Sequence, residues 1–95
     1  GVIKDDLKAI EWYRKAIKQG SGEAMGYLAW NYSKGIVVNK NIELAYSLYY
    51  LAEMRGIPSA VERIQELEEE MSQEQVAAAK NLATDCIINY FDNCG

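Results

Sequence analysis

The chain has 95 residues, of which 49% are hydrophobic and 25% charged, with one proline, no histidine and a net charge of −4. This is one domain's length of globular composition, and no apolar run approaches the ~18 residues needed to cross a bilayer. Residues 1–40 carry seven Lys/Arg against four Asp/Glu, and residues 41–95 carry three against ten, so the second part repels nucleic acid and anionic membrane and either attracts a basic partner or is a solvated surface that keeps the protein soluble.

Low proline with abundant Ala, Leu, Glu, Lys and Tyr favours helix. Asp5 or Asp6 can cap a first helix over 5–19 that Gly20 closes, with Ala9, Trp12, Tyr13, Ala16 and Ile17 at helical spacing. A second helix is expected over 23–34, ending at Gly35, with Ala24, Met25, Leu28, Ala29 and Tyr32 as its core stripe. The stretch 36–40 is short and β-branched and reads as a packed turn. Asn41 caps a third helix over 41–55 that Gly56 closes, and Pro58 suits the first turn of a fourth over 58–70. Ser72-Gln73-Glu74-Gln75 reads as a capping box opening a last helix over 73–90, with Val76, Ala79, Leu82, Ala83, Cys86, Ile87 and Tyr90 on its inner side. The expected fold class is all-α, with no sheet.

Shifted by 36 residues, the chain matches itself. Ala9 falls on Ala45, Tyr13 on Tyr49, Ala16 on Ala52, Gly20 on Gly56 and Ala24 on Ala60, with Val2/Val38 and Lys4/Lys40 upstream. Trp12/Leu48 and Leu28/Ile64 agree as large apolar pairs. Such a period means stacked helix pairs, in which alanines mark close helix contacts and glycines mark helix ends. The expected architecture is therefore an α-solenoid of helix–turn–helix repeats.

The segment from Ala24, with Leu28, Tyr32, Gly35, Val38 and Ala45 in place, resembles the Sel-one-like repeat family, a relative of the tetratricopeptide repeats. Residues 6–20, with Trp12-Tyr13 and Lys15-Ala16, resemble that family's second helix. Ala29 and Val37 stand where the family carries Gly, Asn41 stands for Asp, and Leu48-Tyr49 weakens the Trp-Tyr pair. The resemblance implies about two repeats over 1–71, the first incomplete, and a capping helix and tail over 72–95. It also implies that the chain is the C-terminal piece of a longer array.

No phosphate loop or nucleophile elbow appears, so no catalytic, cofactor or metal residues are expected, and the chain is not expected to be an enzyme. The run Glu62, Glu66, Glu68, Glu69, Glu70 reads as a solvated helix face. Cys86 and Cys94 would lie ~12 Å apart on a continuous helix, too far to bridge. If the helix ends near Tyr90 or Phe91, the tail can return and close a disulfide, placing the protein in the bacterial periplasm or another extracytoplasmic compartment. The alternative is a buried thiol at Cys86, a stray one at Cys94 and a cytoplasmic home.

Such solenoids bind on the concave face made by the first helix of each pair. On the second helix Gly26, Trp30 and Ser33 lie opposite the core stripe, with Glu23, Tyr27 and Lys34 alongside; adding 36 to the first three gives Glu62, Glu66 and Glu69. Glu23, Tyr27, Trp30, Lys34, Glu62, Glu66 and Glu69 are thus the candidate partner-binding residues; the alternative for Trp30 is that it packs against the inner helix of an upstream repeat. The resemblance implies a protein-interaction adaptor or scaffold binding another protein, and the acidic second part of the chain points to a partner with a basic surface and to neither nucleic acid nor the membrane interior. The alternatives are an immunity or inhibitor protein that blocks an effector enzyme, and a structural cap of a longer array.

Overall fold

The computed structural model describes residues 4–92 and Cys94. Among them run five helices and no strand: α1 (Lys4–Lys18), α2 (Gly22–Lys34), α3 (Ile42–Met54), α4 (Ser59–Glu68) and α5 (Gln73–Ile88). The all-α expectation holds, with each helix within a residue or two of its expected bounds. Val2, matched to Val38 by the 36-residue shift, lies outside the described residues.

Local chemistry sets the boundaries. The Ser21 hydroxyl accepts from the Ala24 N–H at 3.2 Å and opens α2, and Asn41 Oδ1 accepts from the Leu44 N–H at 3.0 Å and opens α3. The capping box forms at α5: the Gln75 N–H donates to Ser72 Oγ at 3.1 Å, and the Ser72 N–H donates to Gln75 Oε1 at 2.9 Å. Gly20, Gly35 and Gly56 close α1, α2 and α3 with φ of 85°, 68° and 85°, conformations that cost a side-chain-bearing residue about 1–2 kcal/mol. Val37, where the family carries Gly, takes φ 70° all the same. Its half-buried side chain packs on the core, which offsets part of that strain.

α3 is the centre of the fold, packing against α2, α4 and α5, while α1 packs on α2. Ala45, Tyr46, Leu48, Tyr49, Leu51 and Ala52 of α3 are buried, joined by Met25, Leu28 and Ala29 of α2, Ile64 of α4 and Ala79 and Ala83 of α5. The outer helices have cover on fewer sides, and their expected stripes narrow accordingly. On α1, Ile10 and Ile17 are buried, Ala9, Tyr13 and Ala16 are half-buried, and Trp12 is 71% exposed. On α5 only Ala79, Ala83 and Cys86 are buried, while Leu82, Ile87 and Tyr90, expected inward, face solvent.

Repeat stacking depends on a close approach at Gly22. A Cβ there would sit 2.7 Å from Arg55 Cβ and 3.0 Å from Ile57 Cγ1, whereas one at Gly26 would meet nothing within 4 Å. Gly22→Ala should therefore destabilise by about 1–3 kcal/mol through overpacking. Gly26→Ala, in mid-helix with open space, should stabilise by about 0.5–1 kcal/mol. Thermal unfolding of the two variants checks both the magnitudes and the opposite signs.

Tyr46, 2% exposed, donates its hydroxyl to Glu68 Oε1 at 3.1 Å. Burial, reinforced by that bond and the carboxylate's charge, pushes its pKa up to about 12 from the ordinary 10. The neutral phenol is thus the form the fold favours. Its stabilisation is full below pH 10 and is lost between pH 10 and about 12. Denaturant titrations at pH 9 and pH 11.5 should show that loss, and it should shrink in Tyr46→Phe.

Candidate functional site: the groove between α2 and α4

The core stripes of α2 and α4 leave one flank of each helix facing the other across an open groove floored by Tyr49, which is 4% exposed. Glu23, Tyr27, Trp30 and Lys34 succeed one another along α2. Ser59, Arg63, Glu66 and Glu70 do so along α4 and the residues after it. The two rows are related residue for residue by the 36-residue shift, as stacking of equivalent helices requires.

Trp30 stands at the middle of the groove, 43% exposed. Lys34 Nζ lies 4.8 Å and Arg63 Cζ 5.8 Å from its ring centroid, so cations from both walls flank the indole. Arg63 is oriented by Glu66, whose two carboxylate oxygens accept from its Nη1 at 2.8 and 3.0 Å. The Ser33 hydroxyl donates to the Trp30 carbonyl at 2.9 Å. Burial raises the Tyr49 pKa, opposed by its hydrogen bond with Ser33 and by the charge of Arg63. From the α1 side the Tyr13 ring lies 5.4 Å from that of Tyr27 and supports it.

Trp30, Tyr49 and Arg63 divide the groove into two cavities. The larger, about 450 Å³, is the more apolar, with Gly26, Tyr27, Ile57 and Ala60 in its walls and Glu23 and Ser59 at the edge. The smaller, about 270 Å³, is lined by Ser33, Lys34, Lys40, Glu66, Leu67 and Glu70. An apolar slot beside a mixed-charge slot, with an aromatic anchor between them, suits side chains from an extended segment. Among the described residues no three or more His, Cys, Asp or Glu converge as metal ligands would.

Of the residues singled out from sequence, Glu23, Tyr27, Trp30, Lys34 and Glu66 come together here. Glu62 on α4 and Glu69 just past its end are exposed but line neither cavity. Sequence reasoning missed Tyr49, Arg63 and Glu70. The signal for two of them was available, because adding 36 to Tyr27 and Lys34, rather than to Gly26 and Ser33, gives Arg63 and Glu70.

At the far end of the chain α5 stops at Ile88, and Tyr90 and Phe91 take φ of 54° and 64°. That turn brings Cys94 back to Cys86 at disulfide-bonding distance, with Cα atoms 5.1 Å apart. Phe91 lies under the Arg55 guanidinium at 4.7 Å, and Asp92 reaches Lys18 of α1 at 3.4 Å.

Helix pairs stacked at a fixed register, with an open groove between successive first helices, define a helix–turn–helix repeat protein of the solenoid class. The profile of the Sel1 repeat matches residues 1–21 and 22–57, well over half of the chain, and the chain belongs to the Sel1 repeat family. The second match starts at the first residue of α2 and spans one 36-residue period. Sel1 repeats are in general protein-interaction modules and typically non-catalytic. No curated protein and no solved structure matched the chain. No helix among the described residues is long and apolar enough to cross a membrane.

Proposed function

We propose that the chain is a protein-binding adaptor that holds an extended segment of a partner in the α2–α4 groove, with Trp30 as the anchor. The observation that carries this reading is the meeting of two cavities, about 450 and 270 Å³, at a 43% exposed tryptophan flanked by Lys34 and Arg63. Trp and Arg are the residue types most enriched at energetic centres of interfaces. The exposed carboxylates Glu62 and Glu66 on α4 and Glu69 just past it contribute long-range attraction for a basic partner surface more than contact energy. Residues 1–71 form about two repeats in this reading, the first incomplete, and 72–95 a capping helix and tail. The juxtaposition of Cys86 and Cys94 favours a disulfide and an oxidising, extracytoplasmic compartment.

Peptides selected against the folded chain from a random display library test the proposal. Their affinity should survive Gly26→Ala and fall at least tenfold in Gly26→Met, whose longer side chain occupies the larger cavity from a position with open space around it. Selected peptides that bind Gly26→Met and the parent chain equally would place the binding surface elsewhere.

A further inference from the structure

A separate cavity of about 400 Å³ lies between α1 and the returning tail, and it shares no lining residue with the α2–α4 groove. Its floor is apolar, made by Ile17 at 2% and Leu28 at 0% exposure with Phe91 and Cys94. Its rim is basic, with Arg14, Lys15 and Lys18 against Glu11 and Asp92. Lys18 and Asp92 pair with each other at 3.4 Å. Arg14 Nη2 donates to the Tyr32 hydroxyl at 3.2 Å, which holds the guanidinium at the rim. α1 as a whole carries five bases against three acids, so the wall it forms has a positive field.

We propose that this cavity binds a small amphipathic anion, an aliphatic or aromatic carboxylate, with its apolar body against Phe91, above the buried Ile17 and Leu28, and its acid group toward Lys15. The volume lies within the range of small-molecule sites, and an apolar floor with a few polar groups at the mouth is their usual composition. The tail wall depends on the Cys86–Cys94 bridge. Reduction by a dithiol breaks the S–S bond, adds two electrons and two protons to give two thiols, and leaves the dithiol oxidised. Cys94 is then no longer tied to α5, and Phe91 and Asp92 lose the tether that holds them over α1. The site is therefore redox-conditional.

Octanoate and its uncharged counterpart octanol, titrated into the oxidised full chain by calorimetry and NMR, test this. Octanoate should saturate one site and shift the Ile17 and Leu28 methyls and the Phe91 ring. Lys15→Glu should weaken octanoate about fivefold while leaving octanol unchanged. Dithiothreitol should lower octanoate affinity at least tenfold, and so should Phe91→Ala with the disulfide intact, a variant that removes the wall without reduction. The proposal is overturned by the absence of saturable shifts at Ile17 and Leu28, by equal effects of Lys15→Glu on the acid and the alcohol, or by undiminished affinity in Phe91→Ala. Trp30→Ala should leave octanoate binding unchanged, which separates this site from the groove.

Discussion

Replacing both Cys86 and Cys94 by Ser should lower stability by about 2–3 kcal/mol and the melting temperature by roughly 10–20 °C. The bridge closes a short segment, with a sequence separation of 8, so the loss of unfolded-state entropy is at the modest end of the scale for disulfides. Its weight comes also from what it holds in place. Cys86 and Cys94 are 4% and 8% exposed, and the bridge keeps Phe91 beneath Arg55 and Asp92 beside Lys18. Tyr90 and Phe91 both sit at positive φ, a conformation that non-glycine residues hold only when their surroundings enforce it. Reductant should reproduce the double variant's melting temperature in the parent chain and leave the variant unchanged. A parent chain that melts at the same temperature with and without reductant would mean that the bridge contributes nothing.

Leu48→Ala should cost about 2–5 kcal/mol, enough to bring a domain of this size close to its unfolding threshold at ordinary temperature. Leu48 is 0% exposed at the centre of α3, the helix that packs against α2, α4 and α5, so the methyls lost leave a cavity that no flank can collapse to fill. Trp12 occupies the equivalent position one period earlier and is 71% exposed, so Trp12→Ala should change stability by no more than about 0.5 kcal/mol. Urea titrations of the two variants check the contrast. Equal costs would mean that the 36-residue equivalence extends to packing, which the exposure of Trp12 opposes.

These two positions illustrate what was legible in the chain. Most of the backbone punctuation is legible because it is local chemistry: Ser72 and Gln75 satisfy each other's N–H groups, and Gly20, Gly35 and Gly56 take the left-handed conformations that end helices, whereas Asp5 and Asp6, expected to cap the first helix, fall inside α1, which begins at Lys4. Helix faces were harder, because a stripe of apolar residues states which side can be buried and not how many neighbours are there to bury it. Trp12, Leu82, Ile87 and Tyr90 stayed exposed for that reason, since α1 and α5 are each flanked on fewer sides than α3. Trp30, opposite the core stripe, does line an open groove. Its far wall is made by Arg63 and Glu70 beside Glu66, while Glu62 and Glu69 line neither cavity, because glutamates scattered over 62–70 do not mark a face.

The groove as the partner-binding surface rests most directly on Trp30. The chain has two tryptophans, so in a Trp12→Phe background Trp30 is the sole fluorescent indole and reports occupancy of the groove itself. A peptide selected for binding should shift Trp30 emission saturably, and Trp30→Ala should raise its Kd about 30-fold or more, the effect of a central anchor worth about 2 kcal/mol. The melting temperature of Trp30→Ala should stay within a few degrees of the parent, since the ring is 43% exposed and its contacts with Lys34 and Arg63 are each worth only about 0.5–1 kcal/mol. A Kd unchanged by the substitution, or a variant that unfolds with no separate loss of affinity, would contradict the assignment of this groove as the binding site.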